Sequence, residues 1–357
     1  MRKGRLSSIL AAIVALIAAA CGGDSADTTG AEATAPPGGT LRIISHDSFA
    51  GGVTEETFTA FVEETGFSVE VVPAGDAGGA VNQAILTKDN PVADVLFGVD
   101  NTFLSRALGE DIFVPYESPA LDRVDPRLIV DAEMRVTPID YGDVCLNYDI
   151  AWFEENELEP PSTLDDLVAP EYGGLLVVED PAASSPGLAF LLATIDRYGS
   201  DWPGYWESLV ANGVAVVNDW DTAYYSNFTR YGGDDPIVVS YASSPPAEVM
   251  FAEEPLDAAP TAVVTDGCFR QIEFAGILAG TENETAAGQL IDFMLSPEFQ
   301  EQIPTTWFVF PANVDVDLPE VFAENTVIPE DPIAMDPAEI EQNRETWLDQ
   351  WRDIVTP

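Results

Sequence analysis

Between residues 40 and 99 the chain alternates short apolar runs with helix-spaced segments, an order that restricts its possible folds more than any other feature. TLRIIS (40 to 45) reads as a strand that runs into a polar turn at His46-Asp47-Ser48. Phe58, Phe61 and Val62 follow at helical spacing until Gly66 stops them, and a second strand, SVEVVPA (68 to 74), begins at once. A helix around Ala80 to Thr87 leads to VADVLFGV (92 to 99), a nearly continuous apolar run. A β-α-β-α-β order with such strands calls for a mostly parallel sheet covered by helices. Ligand crevices in these sheets open at the carboxyl ends of the strands. That rule places His46, Asp47, Ser48, Asp100 and Asn101 at a crevice edge.

Similar units recur further on. They comprise the strand TPIDYGDVCLNYD (137 to 149), a helix announced by Ser162-Thr-Leu-Asp165, and the strand GLLVVED (174 to 180). Ser185 suits the cap of a helix that opens with Pro186 and runs through LAFLLATIDRYG. VAVV (214 to 217), PIVVSYA (236 to 242) and FRQIEFAGIL (269 to 278) read as strands, and a helix spans about Glu284 to Leu295. Ile340, Trp347, Trp351 and Ile354 mark one stripe of a terminal amphipathic helix. No internal repeat is present. A body from about Gly39 to Pro357 is too long for one small core and suits two lobes.

The first residues concern address rather than fold. Arg2, Lys3 and Arg5 precede an apolar run from Ile9 to Ile17 that ends in small residues before Cys21, the layout of a secretory signal rather than a membrane span. Ala18-Ala19-Ala20-Cys21 resembles a lipoprotein cleavage box, which makes 1 to 20 a signal peptide and Cys21 the lipidated first residue of the mature chain. Residues 21 to 39 continue as a small, polar, Pro-containing tether with too little apolar surface to fold. Export leaves Cys145 and Cys268 in an oxidising compartment, where a disulfide is the default. The net charge of −48 excludes nucleic acid as a partner, because a polyanion would be repelled. It favours cationic ligands, although a chain whose only lysines are Lys3 and Lys88 equally fits adaptation to salt.

Segments across the body resemble a known family. They include SHDSFA (45 to 50), ADVLFGVDNTFL (93 to 104), PIDYGDVCLNYD (138 to 149), EDPAASSPGLAFLL (179 to 192), NDWDTAYY (218 to 225), VVSYASSP (238 to 245) and SPEFQEQIPTTWFVFPAN (296 to 313). Together they are similar to the bacterial extracellular solute-binding proteins of the two-lobed kind and, within them, to the thiamine-binding branch that serves ABC importers.

The resemblance implies an α/β type II periplasmic-binding-protein fold, each lobe a mostly parallel sheet flanked by helices, with hinge crossings between lobes. Residues 137 to 149 and 269 to 278 read as the paired crossings, so 40 to 142 with 271 to 308 should form one lobe and 143 to 270 with 309 to 357 the other. It implies a monomer that performs no chemistry, needs no cofactor or resident metal, and hands thiamine or a phosphate ester of it to a membrane permease. Trp220 and Tyr241 match the family's aromatic clamp, Asp47 its early acidic residue, and His46 stands where a ring-contacting Tyr is usual. Tyr224 is a further aromatic candidate, and Trp307 or Phe308 supplies the late one. Ser184 and Ser185, before the helix at Pro186, suit a phosphate, because helix amides and the helix dipole attract anions. Two other readings use the same residues. Ferric iron would take the adjacent phenols Tyr224 and Tyr225 with His46, the chain's only histidine; a thiamine-degrading enzyme would need Cys145 or Cys268 as nucleophile.

Overall fold

The computed structural model describes residues 38 to 252 and 254 to 356. The signal segment 1 to 20, Cys21 and the tether up to residue 37 lie outside the described residues. The strands are β1 (Gly39–Ser45), β2 (Phe67–Pro73), β3 (Val95–Asp100), β4 (Phe113–Val114) and β5 (Thr137–Asp149), followed by β6 (Leu176–Glu179), β7 (Ala215–Val217), β8 (Ile237–Tyr241), β9 (Thr261–Leu278) and β10 (Phe310–Pro311). They join one sheet in the order β2-β1-β3-β9-β5-β8-β6-β7, with β4 paired to β9 and β10 to β5. By their contacts the described residues form a single unit.

Parallel pairing between strands is confined to the flanks, β2-β1-β3 at one end and β8-β6-β7 at the other. These are the segments where apolar runs alternate with helices, and a crossover helix is what returns a chain to start a parallel strand. The centre is antiparallel. Here β5 and β9, the two longest strands, pair with each other and each carries one flank. Their register sets Asp140 against Glu273 and Asp143 against Arg270. It slips after Val144, which opposes Phe269, whereas Leu146 opposes Val264. Cys145 and Cys268 are disulfide-bonded at that slip, 123 positions apart in sequence.

Thr59–Thr65, Ala77–Leu86, Ser185–Tyr198, Glu284–Met294 and Pro337–Val355 are helices where the sequence predicts them, while others, such as Ile150–Glu155 and Trp202–Ala211, were not expected. Gly66, at φ 73°, ends Thr59–Thr65, a left-handed position that costs glycine little. Three expectations shift. Thr163, not Ser162, caps a short 3₁₀ turn at Leu164–Val168, and Asp166 rather than Asp165 completes its capping box. Ser184 caps the helix Ser185–Tyr198, so Ser185 is its first residue. The buried stripe of the terminal helix Pro337–Val355 is Ile340, Arg344, Leu348 and Trp351, while Trp347 and Ile354 are half-buried. Among the described residues no helix is long and apolar enough to cross a membrane.

Candidate functional site

Residues following β1, β2, β6, β7 and β8, with Phe97 of β3, Asp140 of β5 and Glu273 of β9, line a cleft of about 390 Å³. That volume is ordinary for a small-molecule site. His46 leaves the end of β1 and caps the helix Asp47–Gly52, so the expected polar turn is a first helical turn. Its Nδ1 accepts the Phe49 amide at 3.2 Å, which leaves the ring proton on Nε2, 3.4 Å from a Glu273 carboxylate oxygen. Burial pushes the His46 pKa down, yet Glu273, helped by Asp76 and Asp100, outweighs it and holds the ring above its ordinary value. Asp47 sits exposed on the rim with Ser48, and its Oδ1 takes the Gly75 amide at 2.9 Å.

An aromatic wall comes from a short helix with a wide turn. Asp219 caps Trp220–Thr222 by accepting the Thr222 amide at 2.7 Å, and the chain widens into a π turn over Ala223–Asn227. Trp220 and Tyr224 therefore share a face, stacked with ring centres 4.9 Å apart and 18° between planes. The Trp220 Nε1 donates to Ser240 Oγ at 3.0 Å, and the Tyr224 hydroxyl donates to Glu248 at 2.8 Å. A small apolar cluster of Val177, Ala223, Phe228 and Val238 backs Tyr224. Trp307 stacks on Phe49 at 4.9 Å and donates its Nε1 to the Phe49 carbonyl at 3.1 Å. Phe308 lines the cleft too, at the left-handed φ of 56°, with its ring 5.4 Å from that of Phe251. A bulky residue at positive φ stores backbone strain of about 1–3 kcal/mol, a cost found mostly at functional sites.

Of the ten residues expected at the ligand, His46, Asp47, Ser48, Ser185, Trp220, Tyr224, Tyr241 and Trp307 line the cleft; Asp100 and Ser184 do not. Asp100 is wholly buried and acts through its neighbours, accepting the Ser185 hydroxyl and the Thr102 amide. Burial lifts its pKa to about 6. Ser184, the cap residue, is also fully buried. The helix start expected to hold a phosphate thus already has a carboxyl on its first hydroxyl. Asp76, Asp140, Asp221, Glu273 and Phe251 line the cleft without having been expected there. The sequence did not single out Asp140 and Glu273, because their strands carry other polar residues, Asp143 and Asn147 on β5 and Arg270 and Gln271 on β9.

Five carboxyl groups and several ring faces make this a site for a cation with hydrogen-bond donors. Among the described residues no lysine or arginine lines it. The iron reading meets a specific obstacle. The Tyr224 hydroxyl is already committed to Glu248 at 2.8 Å, against the Val177–Phe228 cluster rather than free in the cleft. Tyr225 does not aim with it, the two ring planes standing at 81°. The cysteine nucleophile is also lost, because both candidates are in the disulfide.

Residues 90 to 331 match the family described as bacterial extracellular solute-binding protein. The chain belongs to that family. Among its relatives, the thiamine-binding periplasmic protein of Escherichia coli (strain K12) is 30% identical over 322 residues, covering 88% of this chain and 93% of that one. A solved periplasmic thiamin binding protein superposes with a TM-score of 0.77 at 28% identity, over 89% of this chain and 96% of its own. Iron-bound HitA from Pseudomonas aeruginosa, at 20% identity and a TM-score of 0.70, covers 88% of this chain and 99% of its own and shares the fold. As a solute-binding protein of this family the chain works outside the cytoplasm, in line with its charged, apolar-run N-terminus.

Proposed function

We propose that this chain captures thiamine and presents it to the permease of an ABC importer, tethered to the membrane through a lipid on Cys21. The observation that carries the reading is the pre-stacked Trp220–Tyr224 wall in a cleft of carboxyl groups. A flat thiazolium cation takes the ring face, and the aminopyrimidine offers N–H donors to the acids. The thiamine-binding relatives support the same ligand. The occupied helix start favours unesterified thiamine over its phosphates.

The two parallel flanks are taken as the lobes and the β5–β9 pair as the hinge between them. Phe310 and Pro311 pair with Tyr141 and Asp140, and Asn313 donates its side-chain amide to the Leu295 carbonyl, contacts that support assigning residues 309 to about 314 to the first lobe rather than the second. The ligand bridges the lobes and favours the closed form through contacts made only there.

Titration calorimetry of the soluble body with thiamine, its monophosphate, its diphosphate and ferric citrate tests the ligand. Thiamine should bind one per chain and more tightly than either ester. Heat from ferric citrate alone would replace this reading with iron.

A further inference from the structure

Two acids on the cleft floor are not used by the family resemblance or by the aromatic wall. Asp140 of β5 and Glu273 of β9 face each other across adjacent strands, where side chains start about 5 Å apart. Both line the cleft. Asp140 is 4% exposed, and its Oδ1 has no hydrogen-bond partner among the described residues. Glu273 accepts from Gln271 Nε2 at 3.3 Å and faces His46 Nε2 at 3.4 Å.

Against two charges the surroundings supply one cationic group, the His46 ring beside Glu273. From the end of β1 comes His46; from the loop before the helix Ala77–Leu86 comes Asp76; from β3 comes Asp100; and from β8 comes Tyr241, whose hydroxyl meets Gln271. The nearest arginine in β9, Arg270, is committed to Asp143 at 2.5 Å. Two neighbouring carboxylates in a water-poor site cannot both ionise cheaply, so Asp140, buried and with an unpartnered oxygen, is the one that keeps a proton. Burial first, and then Glu273, keep Asp140 well above the usual carboxylate range.

We propose that Asp140 and Glu273 are the specificity-determining residues of the cleft, Asp140 keeping a proton beside Glu273 when it is empty and both accepting from a cationic N–H donor ligand when it is full. The ligand's positive charge replaces the proton, which passes to solvent; no covalent bond forms or breaks in the ligand. The pair thereby selects cations over neutral analogues of the same shape. The inference rests on the thiamine reading for its probe.

The test is calorimetry of thiamine binding to the full body in buffers of differing ionisation enthalpy, repeated across pH 5 to 8.5. About one proton should be released per thiamine at the acid end, with affinity rising up to about tenfold per pH unit and levelling once the free pair is ionised. Asp140→Asn should abolish the release and flatten the profile, and thermal melts will show whether this near-isosteric variant keeps its fold. His46→Gln should retain the release. Release lost in His46→Gln but kept in Asp140→Asn overturns the proposal in favour of the histidine, and thiamine binding without release overturns it while leaving the ligand reading intact. Infrared titration of the ligand-free protein decides the matter separately, even if thiamine does not bind. It should show a protonated-carboxyl band that titrates and is missing from Asp140→Asn; a spectrum unchanged by the substitution sinks the proton on Asp140.

Discussion

Trp220 is held still before any ligand arrives, by Tyr224 against one face and by Ser240 at its Nε1. A preorganised ring spends less ordering entropy on binding. Trp307 differs, because its indole is shared with Phe49 and Phe299 in the core. Trp220→Ala should therefore weaken thiamine more than Trp307→Phe does. A desolvated cation over an indole contributes about 2 kcal/mol, roughly thirtyfold in Kd, before any loss of ring burial. Titration calorimetry of the two variants checks the order, and equal losses would remove Trp220 from its central place. The aromatic candidates were legible because their neighbours in sequence resemble the family's. The glycines that make room for the cleft's rings were not. Gly98 has φ 86°, and a Cβ there would lie 2.3 Å from the His46 ring. A Cβ on Gly142 would come within 2.9 Å of the Tyr241 ring. Such clearances depend on strands meeting across long sequence distances, which no local pattern records.

At the scale of elements, the terminal helix shows where periodicity misleads. Counting aromatic and aliphatic residues selects Trp347 and Ile354, yet the buried face takes Arg344, whose long apolar stem packs like a hydrophobe. Its guanidinium lies 4.6 Å from the centre of the Phe103 ring, which joins the helix Pro337–Val355 to the first flank, while Trp351 meets Trp206 edge-on at 5.6 Å on the second. Among the described residues no carboxylate forms an ion pair with Arg344, and its Nε has no partner. Burial, and then Arg106, lower its pKa to about 10. A buried unpaired charge costs more than an apolar side chain of similar volume. Arg344→Met should leave stability unchanged or raise it by about 1 kcal/mol. Denaturant unfolding measures this, and a loss beyond about 1 kcal/mol would show that the cation–ring contact outweighs the desolvation. The β5–β9 pair contrasts with the helix. Its two strands were each legible, and the cysteines suggested they touch, but the register that sets Asp140 against Glu273 is a long-range property.

For the whole molecule, the alternation of strands and helices forecast the two parallel flanks, while the antiparallel centre rests on pairings more than 100 residues apart. The charge of −48 was legible as a number but not as a distribution. Several acids prove to be buried around one cleft, and this gives stability a direction with pH. Burial raises the carboxyl pKa values of Asp76, Asp100, Asp140 and Glu179, and the His46 value is raised by Glu273 and its fellow acids against burial. A group whose folded-state pKa lies above its unfolded value stabilises the fold below the unfolded value, and that contribution disappears as pH climbs through the folded one. All five therefore favour the native state more at pH 5.5 than at pH 8. Repulsion among surface acids acts in the same sense, since more of them are ionised at pH 8. Asp125, held low by Arg127, and Asp131, which burial would raise but Arg135 pulls down, are ionised in both states across this range, as are Glu110 and Asp166, and so add nothing to the change. Melting temperature should fall from pH 5.5 to pH 8. Salt separates the two causes, because at 1 M the screening length is about 3 Å and exposed charges no longer feel one another, while buried groups are little affected. At pH 8, 1 M NaCl should recover part of the lost melting temperature and leave the remainder. Full recovery would assign the effect to the surface alone, and a melting temperature that rises with pH would contradict the buried, proton-holding acids altogether.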